Sequence, residues 1–137
     1  MIRRILPWLC LAAALFFMSG PGLAQSAPPP ERIALVIGIG AYRNVPALAN
    51  PTKDARAVAA ALRQLGFEVH ERLDLDKRGF SDALREFGPR AATAEAALIY
   101  YAGHGLQVEG ANYLIPADAR LERERDLAYE AMPLGLL

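Results

Sequence analysis

The sequence predicts a three-layer α/β domain, a mainly parallel sheet with helices on both faces. Two apolar runs carry this reading: RIALVIGI at 32–39 and AALIYY at 96–101, both of the kind found in strands buried on two sides. Between them lie two stretches of helical periodicity separated by a short alternating segment. The resulting order of strand, helix, strand, helix, strand implies right-handed crossovers and parallel pairing.

Each element has a local cause. Charge precedes the first run and glycine follows it, and residues 40–49 (GAYRNVPALA) read as a loop. Asn50 is a favoured N-cap and Pro51 suits the first helical position. Ala55, Val58, Leu62 and Leu65 then form one apolar stripe, and Gly66 is the expected stop. Residues 67–73 (FEVHERL) alternate, which predicts a strand with one face less buried. After a charged turn at 74–78, Phe80, Leu84 and Phe87 mark a second amphipathic helix that Gly88-Pro89 should end or kink. Residues 106–108 and 113–115 flank Glu109-Gly110-Ala111-Asn112 as a small hairpin. Residues 118–130 are charged and fit no single element, and 132–137 form an apolar ending without a polar cap.

The first 24 residues are set apart from this domain. Arg3 and Arg4 precede an apolar run at 5–18, and Gly22-Leu23-Ala24 offers small residues at a cleavage site, so an export signal cut after Ala24 is expected. The run is short of the ~18 residues a spanning helix needs. Residues 25–30 end in three prolines and read as an extended tether. This leaves 31–137 as the folded part, in a product expected to be periplasmic or secreted, with no stable membrane anchoring after cleavage. Removing Arg3 and Arg4 from the 15 basic residues leaves 13 against 15 acidic, a balance of −2 that gives no electrostatic case for nucleic acid. The only cysteine is Cys10, inside the signal, so the exported part has no disulfide to form.

The segment YYAGHG at 100–105 is the most informative. It falls where the third strand should end, and reacting groups on open parallel sheets gather at the carboxyl ends of strands. His104 stands between Gly103 and Gly105 on a loop, with a side chain suited to proton transfer near neutrality. The Gly105 N–H is a candidate donor to a developing oxyanion. Taken singly, these residues are better read as a plain loop histidine in a tight turn.

The runs RIALVIGIGAYRNVPALANPTKDARAVAAALRQLGFEV and AALIYYAGHGLQVEGANYLIPADA together resemble the bacterial caspase-like and metacaspase family. The opening strand, the Asn-Pro…Asp helix start and the Tyr-Tyr-Ala-Gly-His-Gly loop occur in that family's order, across 32 to about 130. The resemblance implies a caspase–haemoglobinase-like three-layer α/β/α sandwich, present in part. It implies a cysteine endopeptidase with a Cys–His dyad in which His104 is the histidine, acting on peptide or protein substrates; no cofactor is expected. In caspases the cysteine follows the histidine by about 50 residues, which puts it near position 154, beyond the last residue here. Cys10 is no substitute. The resemblance also makes Asp54 a candidate for a pocket that prefers arginine or lysine before the cut, since a carboxylate pairs well with a guanidinium fork. An acid stabilised near a helix N-terminus is the competing account of Asp54. Asp118 is a weaker second candidate, better read as a loop acid.

Other features carry less. Gly38-Ile39-Gly40 lacks the third glycine and the immediate helix of a dinucleotide site. His70 lies in the second strand with no cysteine partner, so a zinc site is not expected. Ser81 reads as a surface helix residue. Ile39 and Gly40, and the Gly88-Pro89 pair, depart from the family's usual pattern. The alternative to a peptidase is a non-catalytic caspase-like module used for binding or scaffolding.

Overall fold

In the computed structural model, residues 31–136 are described; the expected signal at 1–24, the tether at 25–30 and Cys10 lie outside them. The chain runs β1 (Arg32–Gly38), α1 (Pro51–Gln64), β2 (Glu68–Leu73), α2 (Lys77–Ala91) and β3 (Ala96–Ala102). It continues through β4 (Gly105–Val108), β5 (Ala111–Leu114), α3 (Leu127–Glu130) and β6 (Met132–Pro133). The first three strands are parallel in the order β2-β1-β3, and the last three are antiparallel in the order β4-β5-β6.

Strand β1 alternates its side chains between two apolar layers. Ala34 and Val36 pack on Ala55, Ala59 and Leu62 of α1. Ile33, Leu35 and Ile37 pack in the other cluster, with Phe80, Ala83 and Phe87 of α2. The helices therefore cover opposite faces, as the continuous apolar run predicts. The third strand differs from expectation. Because β1 alone is central, β3 has one unpaired edge among the described residues, and its residues are half-buried or exposed.

The helices show three further departures. Asn50 sits at the N-cap with helical dihedrals, and its side chain makes no capping bond; Pro51 occupies the first turn as expected. Leu65 is 65% exposed, because α1 ends at Gln64 and Gly66 turns the chain at φ +82°, leaving the buried stripe on Pro51, Ala55, Ala59 and Leu62. Helix α2 runs through Gly88-Pro89 to Ala91. Pre-proline crowding falls partly on the Cβ of the preceding residue, and Gly88 has none. At its start, Asp76 accepts a bond from the Gly79 N–H at 2.8 Å, which is a good N-cap.

The hairpin forms as predicted, with a tighter turn. Glu109 and Gly110 both have positive φ (50° and 83°), the geometry of a two-residue hairpin turn whose twist matches the strands. The charged stretch resolves into a single 3₁₀ turn (Glu124–Asp126) and the four-residue α3.

Two substitutions separate the buried and exposed apolar positions. Phe80, fully buried against β1, is expected to cost about 3–5 kcal/mol on change to alanine. Leu65→Ala is expected to stay within about 0.5 kcal/mol. Denaturant unfolding of the two variants checks both values.

Candidate functional site at the carboxyl edge of the sheet

Register brings Gly38, Leu73 and Ala102 into line, so all three parallel strands end on one edge. The segments leaving that edge are stitched together. Ile39 N–H bonds Ala102 O at 2.8 Å, and Asp74 N–H bonds Gly38 O at 2.8 Å. The Asp74 carboxylate accepts from the Gly40 and Ala41 N–H groups at 2.8 and 2.9 Å. Asp74 thereby fixes the loop after β1, which carries Tyr42 and Pro46. Gly40 fits because a Cβ there would come within 2.6 Å of the Leu48 carbonyl oxygen.

His104 follows β3 directly and its backbone is held at both ends by tyrosines. Its N–H donates to Tyr42 Oη at 2.7 Å. Tyr101 Oη donates to its carbonyl at 2.8 Å. The two hydroxyls are 3.3 Å apart. Since Tyr42 Oη already accepts from His104 and Tyr101 gives its proton to the carbonyl, the Tyr42 hydroxyl donates to Tyr101 and the ring of bonds closes. Ile115 N–H also reaches the His104 carbonyl, at 3.1 Å. Inside the ring sits Gly103. A Cβ there would stand 2.5 Å from Tyr101 Oη and 2.6 Å from Tyr42 Oη, so only glycine fits without displacing the hydroxyls. Burial pushes the Tyr101 phenol well above its ordinary value and keeps it protonated.

The imidazole is half-buried and tilted on the Tyr42 ring, centroids 4.7 Å apart at 52°. Its Nε2 lies 2.8 Å from the Pro46 carbonyl oxygen. A carbonyl only accepts, so Nε2 carries the proton and the neutral ring keeps its lone pair on Nδ1. The result is a proton acceptor with a fixed tautomer and orientation at the carboxyl edge. It is the arrangement a catalytic base needs, with a backbone carbonyl in place of a carboxylate as orienting group.

Gly105 opens β4 and faces Leu114. The adjoining bond runs from Ile115 N–H to His104 O, so Gly105 and Leu114 form a non-hydrogen-bonded pair. The Gly105 N–H consequently points away from β5, next to the imidazole. Asp54 is exposed in the first turn of α1, the turn that follows the same edge. Asp118 is occupied elsewhere, since its carboxylate accepts the Lys77 N–H at 2.9 Å, at the start of α2. Ser81 bonds back to the Lys77 carbonyl at 3.0 Å within α2, a helix-surface contact. His70 lies on β2 beside Arg90 and Glu68, remote in the sheet from His104.

Sequence reasoning missed Tyr42, Tyr101, Pro46 and Asp74. Tyr101 lies within the run read as a buried strand, and its hydroxyl role depends on a partner 59 residues away. The motif did hold one signal: Gly103, between Ala102 and His104, marks a close approach.

Comparison with known proteins finds a family match. The family model described as the Caspase domain matches residues 31–132. The human mucosa-associated lymphoid tissue lymphoma translocation protein 1 is 37% identical over 89 residues, 65% of this chain and 11% of that protein. Its mouse homolog is 36% identical over 89 residues with the same coverage. The chain thus spans about a tenth of the length of the curated relatives it matches.

Opening the ring should be measurable in stability and in its pH dependence. Tyr101→Phe leaves the Tyr42 hydroxyl without its acceptor and is expected to cost about 1–3 kcal/mol. The folded-state value of Tyr101 is raised above 10.0, so its contribution is complete below pH 10 and declines above it, where only the unfolded chain ionises. Unfolding measured from pH 8 to 11 should show a fall above pH 10 that is shallower in Tyr101→Phe. Parallel curves would contradict the assignment.

Proposed function

We propose, for a chain that belongs to the Caspase domain family, that His104 is the histidine of a cysteine endopeptidase centre whose thiol comes from outside the residues described. The domain is of the caspase-like peptidase kind. The observation that carries the finer reading is the fixed imidazole: Nε2–H tied to the Pro46 carbonyl, Nδ1 free at the carboxyl edge.

The chemistry follows from that arrangement. Nδ1 takes the proton of the cysteine thiol, and the thiolate attacks the scissile carbonyl, forming a C–S bond and a tetrahedral oxyanion. The outward N–H of Gly105 donates to that oxyanion. The imidazolium, stabilised by its charge-assisted bond to Pro46 O, returns the proton to the departing amine as the C–N bond breaks. Water then attacks the thioester, giving up its proton to Nδ1, and the carboxylic acid leaves as the thiol re-forms.

Two features support a thiol arriving beside β3. The outer edge of β3 is unpaired among the described residues. An apolar groove lined by Leu84, Phe87, Ala91, Ile99 and Leu136 opens between α2 and that strand. A further parallel strand fitted there would end on the edge that carries His104. The family's metacaspase-like branch supports an Asp54 that receives arginine or lysine before the cut, and its exposed carboxylate in the first turn of α1 suits a guanidinium. The leader pattern at 1–24 supports an exported protein.

The test is cleavage of matched arginyl and aspartyl peptide amides by the full natural protein. The arginyl peptide should be cut at least about 100-fold faster, and His104→Ala should lower that rate about 100-fold or more. Asp54→Asn should reduce the arginyl preference while leaving the fold intact by circular dichroism. Equal rates with and without His104 would remove it from the mechanism. Binding of the arginyl peptide without cleavage would support the non-catalytic module instead.

A further inference from the structure

We infer that strand β4 is a docking edge for the substrate chain on the leaving-amine side of the cut, which pairs with it as an added parallel strand. This rests on the peptidase reading of His104 and extends it to a binding surface. Three observations carry it.

Strand β4 is the outer member of the β4-β5-β6 sheet, with no strand on its far side among the described residues. Pairing with β5 in the register Gly105↔Leu114 and Leu106↔Tyr113 turns the backbone groups of Leu106 inward. The alternate residues, Gly105 and Gln107, direct theirs to the open edge. With the Gly105 N–H assigned to the oxyanion, its carbonyl and both backbone groups of Gln107 remain for an extended peptide. An open edge of this kind is a ready template for strand addition.

The edge also begins at the reacting centre. The proton carried by His104 goes to the amine released from the cut, so the chain attached to that amine starts beside the imidazole. The residue after His104 is the first of β4. A peptide leaving in the extended form reaches Gln107 about two residues past the cut, given the ~3.3 Å rise of a strand.

Finally, a groove runs beside β4, where Leu106, Val108, Leu121 and Leu127 line it together with Gln107, Glu122, Arg123 and Glu124. Leu106 is 44% exposed there. Alternate side chains of an added strand project to one face, so the groove seats an apolar residue of the leaving segment. The partner is therefore an extended segment with an apolar side chain close after the cut.

Two peptides test this: Ac-Ala-Val-Ala-Arg-NH2, which ends at the cut, and Ac-Ala-Val-Ala-Arg-Ser-Val-Ser-Val-NH2, with the bond after arginine reduced so that it is not cleaved. Amide hydrogen exchange of the full protein is followed by NMR with each. The long peptide should slow exchange of the Gln107 amide about tenfold or more, and the short one should not, while both shift His104. Gln107→Pro removes only an outward N–H at an edge position, where proline is tolerated. It should abolish the affinity advantage of the long peptide, which Gln107→Ala retains. If both peptides shift His104 but bind equally and leave the Gln107 amide unchanged, the docking edge is wrong and the peptidase reading survives. If neither shifts His104, both fall. If the Gln107 amide is already protected in a protein that sediments as a dimer, a second copy covers the edge and the inference is overturned. The exchange measurement on the unaltered protein decides the matter even if Gln107→Pro does not fold.

Discussion

The hydroxyls of Tyr42 and Tyr101, 3.3 Å apart, close a ring of hydrogen bonds through the backbone of His104, and Gly103 is the one residue small enough to sit within it. The ring ties the loop after β1 to the distant junction between the end of β3 and the start of β4. A hydrogen bond contributes modestly on its own, yet a part-buried ring in which each hydroxyl both donates and accepts loses more than one bond when either hydroxyl is removed. The orientation of the imidazole follows from this constraint. Its backbone is held by the tyrosines, its face lies on Tyr42, and its Nε2 is held by Pro46.

The rest of the fold delivers these pieces to one place. Parallel pairing puts the ends of β1, β2 and β3 on a common edge. Asp74, at the end of β2 and itself at φ 50°, uses its carboxylate to hold the Gly40 and Ala41 amides. That bond connects the geometry of β2, which carries no reacting group, to the loop that orients His104. Phe80 stacks near the Tyr101 ring, centroids 6.0 Å apart, so helix α2 packs beneath the same tyrosine. Core packing and site geometry are therefore coupled through Tyr101.

The elements were legible in the sequence wherever one local rule acted alone. The run at 32–39 announced a central strand because both faces of β1 are buried, and YYAGHG announced a histidine at a strand end. Reading failed where tertiary context decided. Residues 96–101 look as apolar as β1, but among the described residues the outer side of β3 has no paired strand. Leu65 fits the helical period, but the helix stops one residue before it. Gly88-Pro89 looks like a break, but the glycine relieves the crowding that makes it one. Of the site, the motif gave His104 and Gly105, and the resemblance gave Asp54. The orienting groups were invisible because a carbonyl, Pro46 O, carries no sequence signal, and the tyrosine pair spans 59 residues.

The proposed chemistry depends on which nitrogen of His104 holds its proton. Long-range 1H–15N correlation NMR of the neutral imidazole reads this directly. The structure predicts protonated Nε2, with a hydrogen-bonded proton, and unprotonated Nδ1. A neutral ring protonated at Nδ1 would mean that the nitrogen proposed to accept the thiol proton has no lone pair to offer, and the proposed role of His104 would be contradicted.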